Sequence, residues 1–173
     1  MKIPYHILHY DHYSKEDINK VSGADTVFIV PEKMKEAVIR DGYMNVFAVC
    51  PGEHKSVNKL NFEAVAAYNI FKPFHPRSAG WCGYIIDLDG KRIYVAGDTD
   101  ITKEAKAVKC DIALVPIGGT YTMDAKKAAE LINTIKPETA IPTHYGSIVG
   151  RPEDARVFAQ KVNAEIAVEI KLK

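Results

Sequence analysis

Metal-competent side chains cluster near the start of this sequence. His9, Asp11 and His12 lie within four consecutive residues. Imidazole nitrogens and carboxylate oxygens are donors that zinc prefers in proteins, and they also suit iron and manganese. A metal centre needs more donors than one short turn supplies, so we expect later segments of the chain to fold back and complete it.

Three later residues are candidates for the remaining donors. Asp98 follows an apolar strand-like segment, His144 follows another, and His75 lies in a long loop with two prolines. Reactive groups gather at the carboxyl ends of strands, because side chains there leave the sheet and enter a crevice. A lone histidine is more often structural, and Asp98 after Gly97 could be a turn residue. Taken together, the set predicts one shared metal site.

The elements that must position these residues follow from periodicity, turn signals and caps. Apolar or alternating runs predict strands at 26–30, 43–50, 55–60, 62–68, 83–88, 92–96, 111–116, 139–142 and 165–172. Capping residues and apolar stripes predict helices that start at Ser14, Pro31, Thr102, Thr122 or Asp124, and Pro152. This order predicts an α/β fold of mixed sheets with helices outside, in a single domain that spans residues 1–173.

Composition narrows the classes of function. Of 173 residues, 47% are hydrophobic and 26% are charged, and the net charge is +1. There is no basic stripe to follow a phosphate backbone, so we expect no nucleic-acid partner. No apolar run approaches the ~20 residues of a membrane span, and no signal peptide is evident. The scattered Cys50, Cys82 and Cys110 argue against a disulfide framework and predict a cytoplasmic protein.

Two other features allow alternative interpretations. Gly118 to Thr120, followed by a helix start, could receive an anionic group such as phosphate, or could form only a tight loop and a cap. Trp81, Tyr121 and Tyr145 could line a pocket, but core packing explains each aromatic side chain equally well.

Four segments form an ordered set of motifs over nearly the whole chain. They are His9-Tyr10-Asp11-His12, Ile93 to Asp100 (I-Y-V-A-G-D-T-D), Ala113 to Gly119 (A-L-V-P-I-G-G) and Pro142-Thr143-His144-Tyr145. Together they resemble the metallo-β-lactamase superfamily of metal-dependent hydrolases. Within it, they look most like the group that includes ascorbate-6-phosphate lactonases and N-acyl phosphatidylethanolamine phospholipases. The resemblance implies a four-layer αββα sandwich with a dinuclear metal site at one edge.

The resemblance also implies a role for each motif residue. His9 would bind a first metal ion, whereas Asp11 and His12 would bind a second. Asp98 would bridge the two ions, and His144 would complete the second site. One or two zinc ions are expected, with manganese or iron as alternatives.

A mid-chain residue should complete the first site. His75 is the expected ligand because it precedes the strand at Gly83 by a suitable distance, and the weaker donor Asn69 is the alternative. The implied chemistry is hydrolysis of a small-molecule ester, lactone or phosphodiester by a metal-activated hydroxide, with Asp11 or Asp98 orienting the water.

Two departures from the family pattern add further expectations. The motif H-x-H-x-D-H would begin at position 7, where this chain has Ile7, and His6 is out of phase because neighbouring residues of an extended chain face opposite sides. Family members also carry several strands before this motif, whereas about eight residues precede it here. We therefore expect an N-terminally truncated sandwich that self-associates as a homo-oligomer. The alternative to an enzyme is a degenerate, non-catalytic relative that binds metal weakly or serves as an interaction module.

Overall fold

Residues 13–172, the part described by the computed structural model, form four layers in the order helix, sheet, sheet, helix. This order agrees with the predicted αββα architecture. The predictions for His9, Asp11 and His12, and those for His6 and Ile7, lie outside the described residues.

Residues 13–172 contain nine strands and five α-helices. The strands are β1 (Phe28–Pro31), β2 (Val46–Val49), β3 (His54–Val57), β4 (Leu60–Ala66), β5 (Cys82–Leu88), β6 (Lys91–Val95), β7 (Ile112–Pro116), β8 (Thr139–Thr143) and β9 (Ala167–Val168). The helices are α1 (Lys15–Val21), α2 (Lys35–Arg40), α3 (Lys103–Lys106), α4 (Ala125–Ile135) and α5 (Asp154–Lys161). Short 3-10 turns occur at Glu32–Met34 and Arg77–Ala79.

The larger sheet contains seven strands in sequence order, from β3 to β9, and the smaller sheet pairs β1 with β2 in parallel. Pairing in the larger sheet is antiparallel from β3 to β6 and parallel from β6 to β9. Because β6, β7 and β8 run in the same direction, their carboxyl ends meet at one edge of the sheet. The candidate ligands Asp98 and His144 follow two of these ends.

Tight turns set the register of the antiparallel strands. Asp89 and Gly90 have φ angles of 50° and 77°, the left-handed conformation that a two-residue hairpin requires, as their sequence predicts. Asn58 and Lys59 form a similar turn, with φ angles of 50° and 69°. The prediction of a strand over 55–60 is therefore wrong at its carboxyl end, because the chain reverses after Val57.

The outer helices cover one face of the larger sheet, as the apolar stripe of α4 predicts. The Asp124 carboxylate caps α4 by accepting a hydrogen bond from the Lys127 backbone N–H at 2.8 Å. The helix buries the residues of the predicted stripe, which are Ala125, Ala128, Ala129, Ile132 and Ile135. Among residues 13–172, no helix combines the length and the apolar character needed to cross a membrane.

Two element boundaries near the end of the chain were wrongly predicted. The predicted strand over 165–172 is reduced to β9, which pairs only with Thr139 and Ala140 of β8. Ile170 and Leu172 continue the alternation of apolar residues but are about half exposed, since no sheet face extends to them. The predicted helix at Pro152 begins two residues later, at Asp154.

The face between the two sheets is covered unevenly. Side chains of β1 and β2 pack against β4 and β5, where Phe62 and Tyr84 are fully buried. The registers of β5 through β8 extend the same face to Ile93, Leu114 and Ile141, which are only half-buried. Among the described residues, the smaller sheet therefore covers only part of the larger one.

Candidate metal centre

Three of the predicted ligands meet at the edge where the parallel strands end. The Nε2 atom of His75 lies 3.5 Å from one carboxylate oxygen of Asp98, and the Nε2 atom of His144 lies 3.6 Å from the other. The side chains of His75, Asp98 and His144 are 1%, 8% and 19% exposed. A single carboxylate is thus flanked by one imidazole on each oxygen in a largely buried position.

The orientation of the His75 ring is set by Asn69. The Asn69 amide nitrogen donates to the carbonyl oxygen of Tyr121 at 2.9 Å, which directs its Oδ1 atom toward His75. That oxygen accepts from the His75 backbone N–H at 3.2 Å and lies 2.9 Å from the ring Nδ1 atom. Because Oδ1 can only accept, the ring proton is assigned to Nδ1. Asn69 therefore orients the ring of a predicted ligand, and this contact favours His75 over Asn69 as the residue that completes the first site, which remains a prediction.

This tautomer decides what the ring presents to Asp98. With the proton on Nδ1, the Nε2 atom of neutral His75 carries a lone pair that faces a carboxylate oxygen, and both atoms are acceptors. A doubly protonated ring would resolve the conflict, but charged N–H···O bonds usually measure ~2.7–2.9 Å. The observed separation is close to the ~3.3 Å between neighbouring donors of a tetrahedral zinc ion. The residues present therefore fit a bound metal cation.

His144 is held in a strained backbone conformation. Its φ angle is 58°, in the left-handed region that non-glycine residues rarely adopt and that is common at functional sites. The β7–α4 loop packs tightly against it: a Cβ atom on Gly118 would lie 2.5 Å from the His144 carbonyl oxygen and 3.1 Å from its Nδ1. The absence of a side chain at Gly118 is thus what lets this loop approach the histidine.

A partly buried ion pair, which sequence reasoning did not identify, connects the loops of the centre. The Lys72 ammonium lies 2.9 Å from an Asp100 carboxylate oxygen and also donates to the carbonyl oxygen of Thr122. The other Asp100 oxygen accepts from the Ile70 backbone N–H at 3.0 Å. The pair connects the loop that carries His75 to the turn that carries Asp98. The second aspartate of G-D-T-D was the available signal for Asp100, whereas nothing in the sequence marked Lys72.

Hydrogen bonds and packing distinguish between the alternatives that the sequence left open for the glycine-rich segment before α4 and for the three aromatic side chains. The backbone N–H groups of Gly119 and Thr120 donate to the carbonyl oxygens of Met123 and Gly118, so this segment is a tight loop rather than a ready anion site. Tyr121 and Tyr145 line a cavity beside His144. Trp81 instead packs against the core between the smaller sheet and helices α1 and α2.

The predicted ligands His9, Asp11 and His12 lie outside the described residues. Within residues 13–172, no group of three histidine, cysteine or carboxylate side chains is arranged to hold a metal ion by itself. The pairs that His75 and His144 form with Asp98 thus supply part of a donor set, and the assignment of the complete set remains a prediction.

Comparison with known proteins identifies the family. The Beta-lactamase superfamily domain matches residues 7–144, a range that contains all six predicted ligands. The chain belongs to this superfamily. A "UPF0173 metal-dependent hydrolase" of Thermoplasma acidophilum is 32% identical over 168 residues, which cover 92% of this chain and 73% of that protein. A relative of the same description from Symbiobacterium thermophilum is 35% identical over 111 residues, which are 60% of this chain and only 50% of the relative.

Solved structures agree with the fold of this superfamily member. A protein of Parabacteroides distasonis described as a metal-dependent hydrolase superposes with a TM-score of 0.79 at 30% identity, covering 94% of this chain and 71% of that one. A metallo hydrolase of Ignicoccus hospitalis gives 0.75 at 24% identity, covering 96% and 73%. The predicted metallo-β-lactamase fold is confirmed. The finer resemblance to lactonases and phospholipases remains a prediction.

Proposed function

We propose that this chain is the metal-dependent hydrolase domain that its relatives' names describe, and that it uses a metal-activated water on an ester, lactone or phosphodiester. The observation that carries the proposal is the Asp98 carboxylate between two imidazoles, one of which turns a lone pair toward it. A metal cation that accepts a lone pair from each of them would stabilise two acceptors that face each other in a largely buried site. A bound metal ion satisfies both.

The proposed donor set combines residues from both ends of the chain. His75, Asp98 and His144 would join the predicted His9, Asp11 and His12. Nitrogen and oxygen donors suit zinc best, with manganese or iron as alternatives. When bound, such an ion lowers the pKa of a coordinated water and polarises the substrate oxygen. Asp98 or Asp11 would orient that water, and Asn69 would keep the His75 ring in its ligating tautomer.

Metal content tests the proposal directly. Protein purified without chelator is expected to carry zinc, manganese or iron in stoichiometric amount, and His144→Ala is expected to lose it. His54→Ala is the matched control, because His54 is 72% exposed and pairs only at the surface with Glu63. If wild-type protein holds no metal above background, even after addition of zinc or manganese, the proposal fails.

A degenerate, non-catalytic relative is the second candidate. The observation that favours it is Ile7 at the position of the first motif histidine. The two candidates differ in what accompanies metal binding. Stoichiometric metal with turnover of any ester, lactone or phosphodiester in a substrate panel supports the hydrolase. Metal binding with no turnover by the loaded protein across the panel supports the degenerate relative.

We also propose a homo-oligomer in a reducing compartment such as the cytoplasm. The half-buried face around Ile93, Leu114 and Ile141 supports association, since exposed apolar sheet faces favour contact with another chain. The free thiols of Cys50, Cys82 and Cys110 are compatible with a reducing compartment. Sedimentation at micromolar concentration tests the association, and a monomer mass would contradict it.

A further inference from the structure

A small cavity lies directly beside the candidate metal centre. It has a volume of about 210 Å³, and His144 forms part of its wall. The other main wall residues are Tyr121, Tyr145, Ile148 and Val149, and none of the described residues that line it carries a carboxylate, ammonium or guanidinium group. Any group that occupies this cavity therefore contacts an uncharged surface while touching a predicted metal ligand.

Apolar side chains extend this surface toward solvent. Ile148 is 81% exposed at the cavity rim. Phe74 packs edge-to-face on the wall residue Tyr121, with ring centroids 4.7 Å apart, and is itself 43% exposed. Exposed large apolar side chains next to a cavity are a feature of ligand-binding sites, whereas isolated ones are common on any surface.

Two polar groups near this opening are already engaged. The Tyr145 hydroxyl donates to the Leu172 carbonyl oxygen at 3.2 Å. The Lys72 ammonium is occupied by Asp100 and by the Thr122 carbonyl oxygen. None of the described wall residues offers a charged substituent a carboxylate, ammonium or guanidinium partner that would compensate for its lost hydration.

We propose that this cavity is a specificity subsite for an uncharged aryl or short alkyl group of the substrate, held next to the bond that is cleaved. A dry apolar cavity of about 150 Å³ already accommodates benzene, so the volume here suits one ring or a chain of a few carbons. The position relative to the cleaved bond rests on the proposed hydrolase function. The apolar binding itself rests only on the walls of the cavity.

Ligand binding can be measured without any turnover. Benzyl alcohol is titrated into the full chain, and the backbone amide resonances of Tyr121, Ile148 and Val149 are followed by NMR, with benzoate and benzylammonium as charged counterparts. We expect saturable shifts with the alcohol only. Ile148→Asp is expected to weaken binding about tenfold, the discrimination that one small apolar contact in a pocket provides. Met44→Asp is the matched control, because Met44 is similarly exposed (77%), lies two residues before β2 and does not line the cavity.

The outcomes separate this inference from the proposed function. Metal content is measured on the same samples, so bound metal without benzyl alcohol binding overturns the subsite and leaves the hydrolase proposal standing. Binding that Ile148→Asp does not weaken, or equal binding of benzoate, also overturns it. The subsite is also overturned if Ile148→Asp leaves benzyl alcohol binding unchanged but abolishes adsorption to phosphatidylcholine vesicles or self-association. The apolar rim would then bind a membrane or a second copy of the chain.

Discussion

Asn69 provides the sharpest test of the metal centre, because its side chain contacts both the backbone and the ring of the predicted ligand His75. Asn69→Leu preserves the approximate volume of the side chain but removes three hydrogen bonds: those from the His75 backbone and ring, and the one to Tyr121. The His75 ring then loses the acceptor that holds its proton on Nδ1. We expect the ring to rotate or change tautomer and to stop presenting Nε2 toward Asp98.

The expected magnitude follows from the burial of these groups. Loss of an outer partner of a metal-bound imidazole typically costs about 10- to 100-fold in metal affinity. Each buried polar group left without a partner costs about 1–3 kcal/mol of stability, so the free energy of unfolding should fall by about 3 kcal/mol or more. Asn69→Asp should retain more metal affinity than Asn69→Leu, because a carboxylate oxygen can still accept from the ring.

Zinc affinity is measured by competition with a fluorescent chelator, and stability by urea unfolding of the metal-free protein. Asn133→Leu is a closely matched control: its amide donates to the Lys161 carbonyl oxygen at 2.9 Å and accepts from the Asn163 N–H at 2.8 Å, near the carboxyl end of α4. That variant should lose about 1–2 kcal/mol of stability and retain wild-type zinc affinity. Circular dichroism of each metal-free variant checks that affinity is compared between folded proteins.

A zinc affinity for Asn69→Leu within twofold of wild type would refute the reasoning, provided the variant is folded. The contact between Asn69 and the ring would then not determine the tautomer of His75. The lone-pair argument for a cation between His75 and Asp98 would lose its basis as well.

Three further predictions concern the surroundings of the centre. Gly118→Ala should lower the free energy of unfolding by about 1–3 kcal/mol and weaken zinc binding, because the added Cβ would lie 2.5 Å from the His144 carbonyl oxygen. An unchanged urea midpoint and an unchanged zinc affinity would contradict the tight contact. Lys72→Met should lower the free energy of unfolding of the protein by about 1–3 kcal/mol, and it should have a smaller effect when Asp100→Asn is already present. Additive effects of the two substitutions would show that the ion pair is not coupled. Burial raises the pKa of Cys82 to about 12 from its ordinary value of 9.0. As the pH rises, the thiol of the unfolded chain therefore loses its proton first, and the stability of the folded protein falls between those two pH values. Urea midpoints at pH 9 and 10 should therefore fall less in Cys82→Ala than in wild type, and equal slopes would contradict the shift.

Much of the fold was predictable because local chemistry agreed with the tertiary arrangement. Asp89-Gly90 encodes its own turn through backbone preference. The stripe from Ala125 to Ile135 predicts the buried face of α4, because helical periodicity alone places those side chains on one side. The predictions were wrong where the local signal was weak or where a segment lacked a strand to pair with. In the strand predicted over 165–172, only two residues pair with β8.

By itself, the sequence determined which residue types stand after which strands, and so placed Asp98 and His144 at the carboxyl ends of β6 and β8. Only the tertiary structure shows that Tyr121, 52 residues away along the chain, directs the Asn69 side chain, a contact that supports His75 over Asn69 as the predicted ligand. It also decided that Tyr121 lines the cavity beside the centre. Periodicity shows which face a side chain occupies, but the partner it meets there depends on contacts between segments far apart in the sequence.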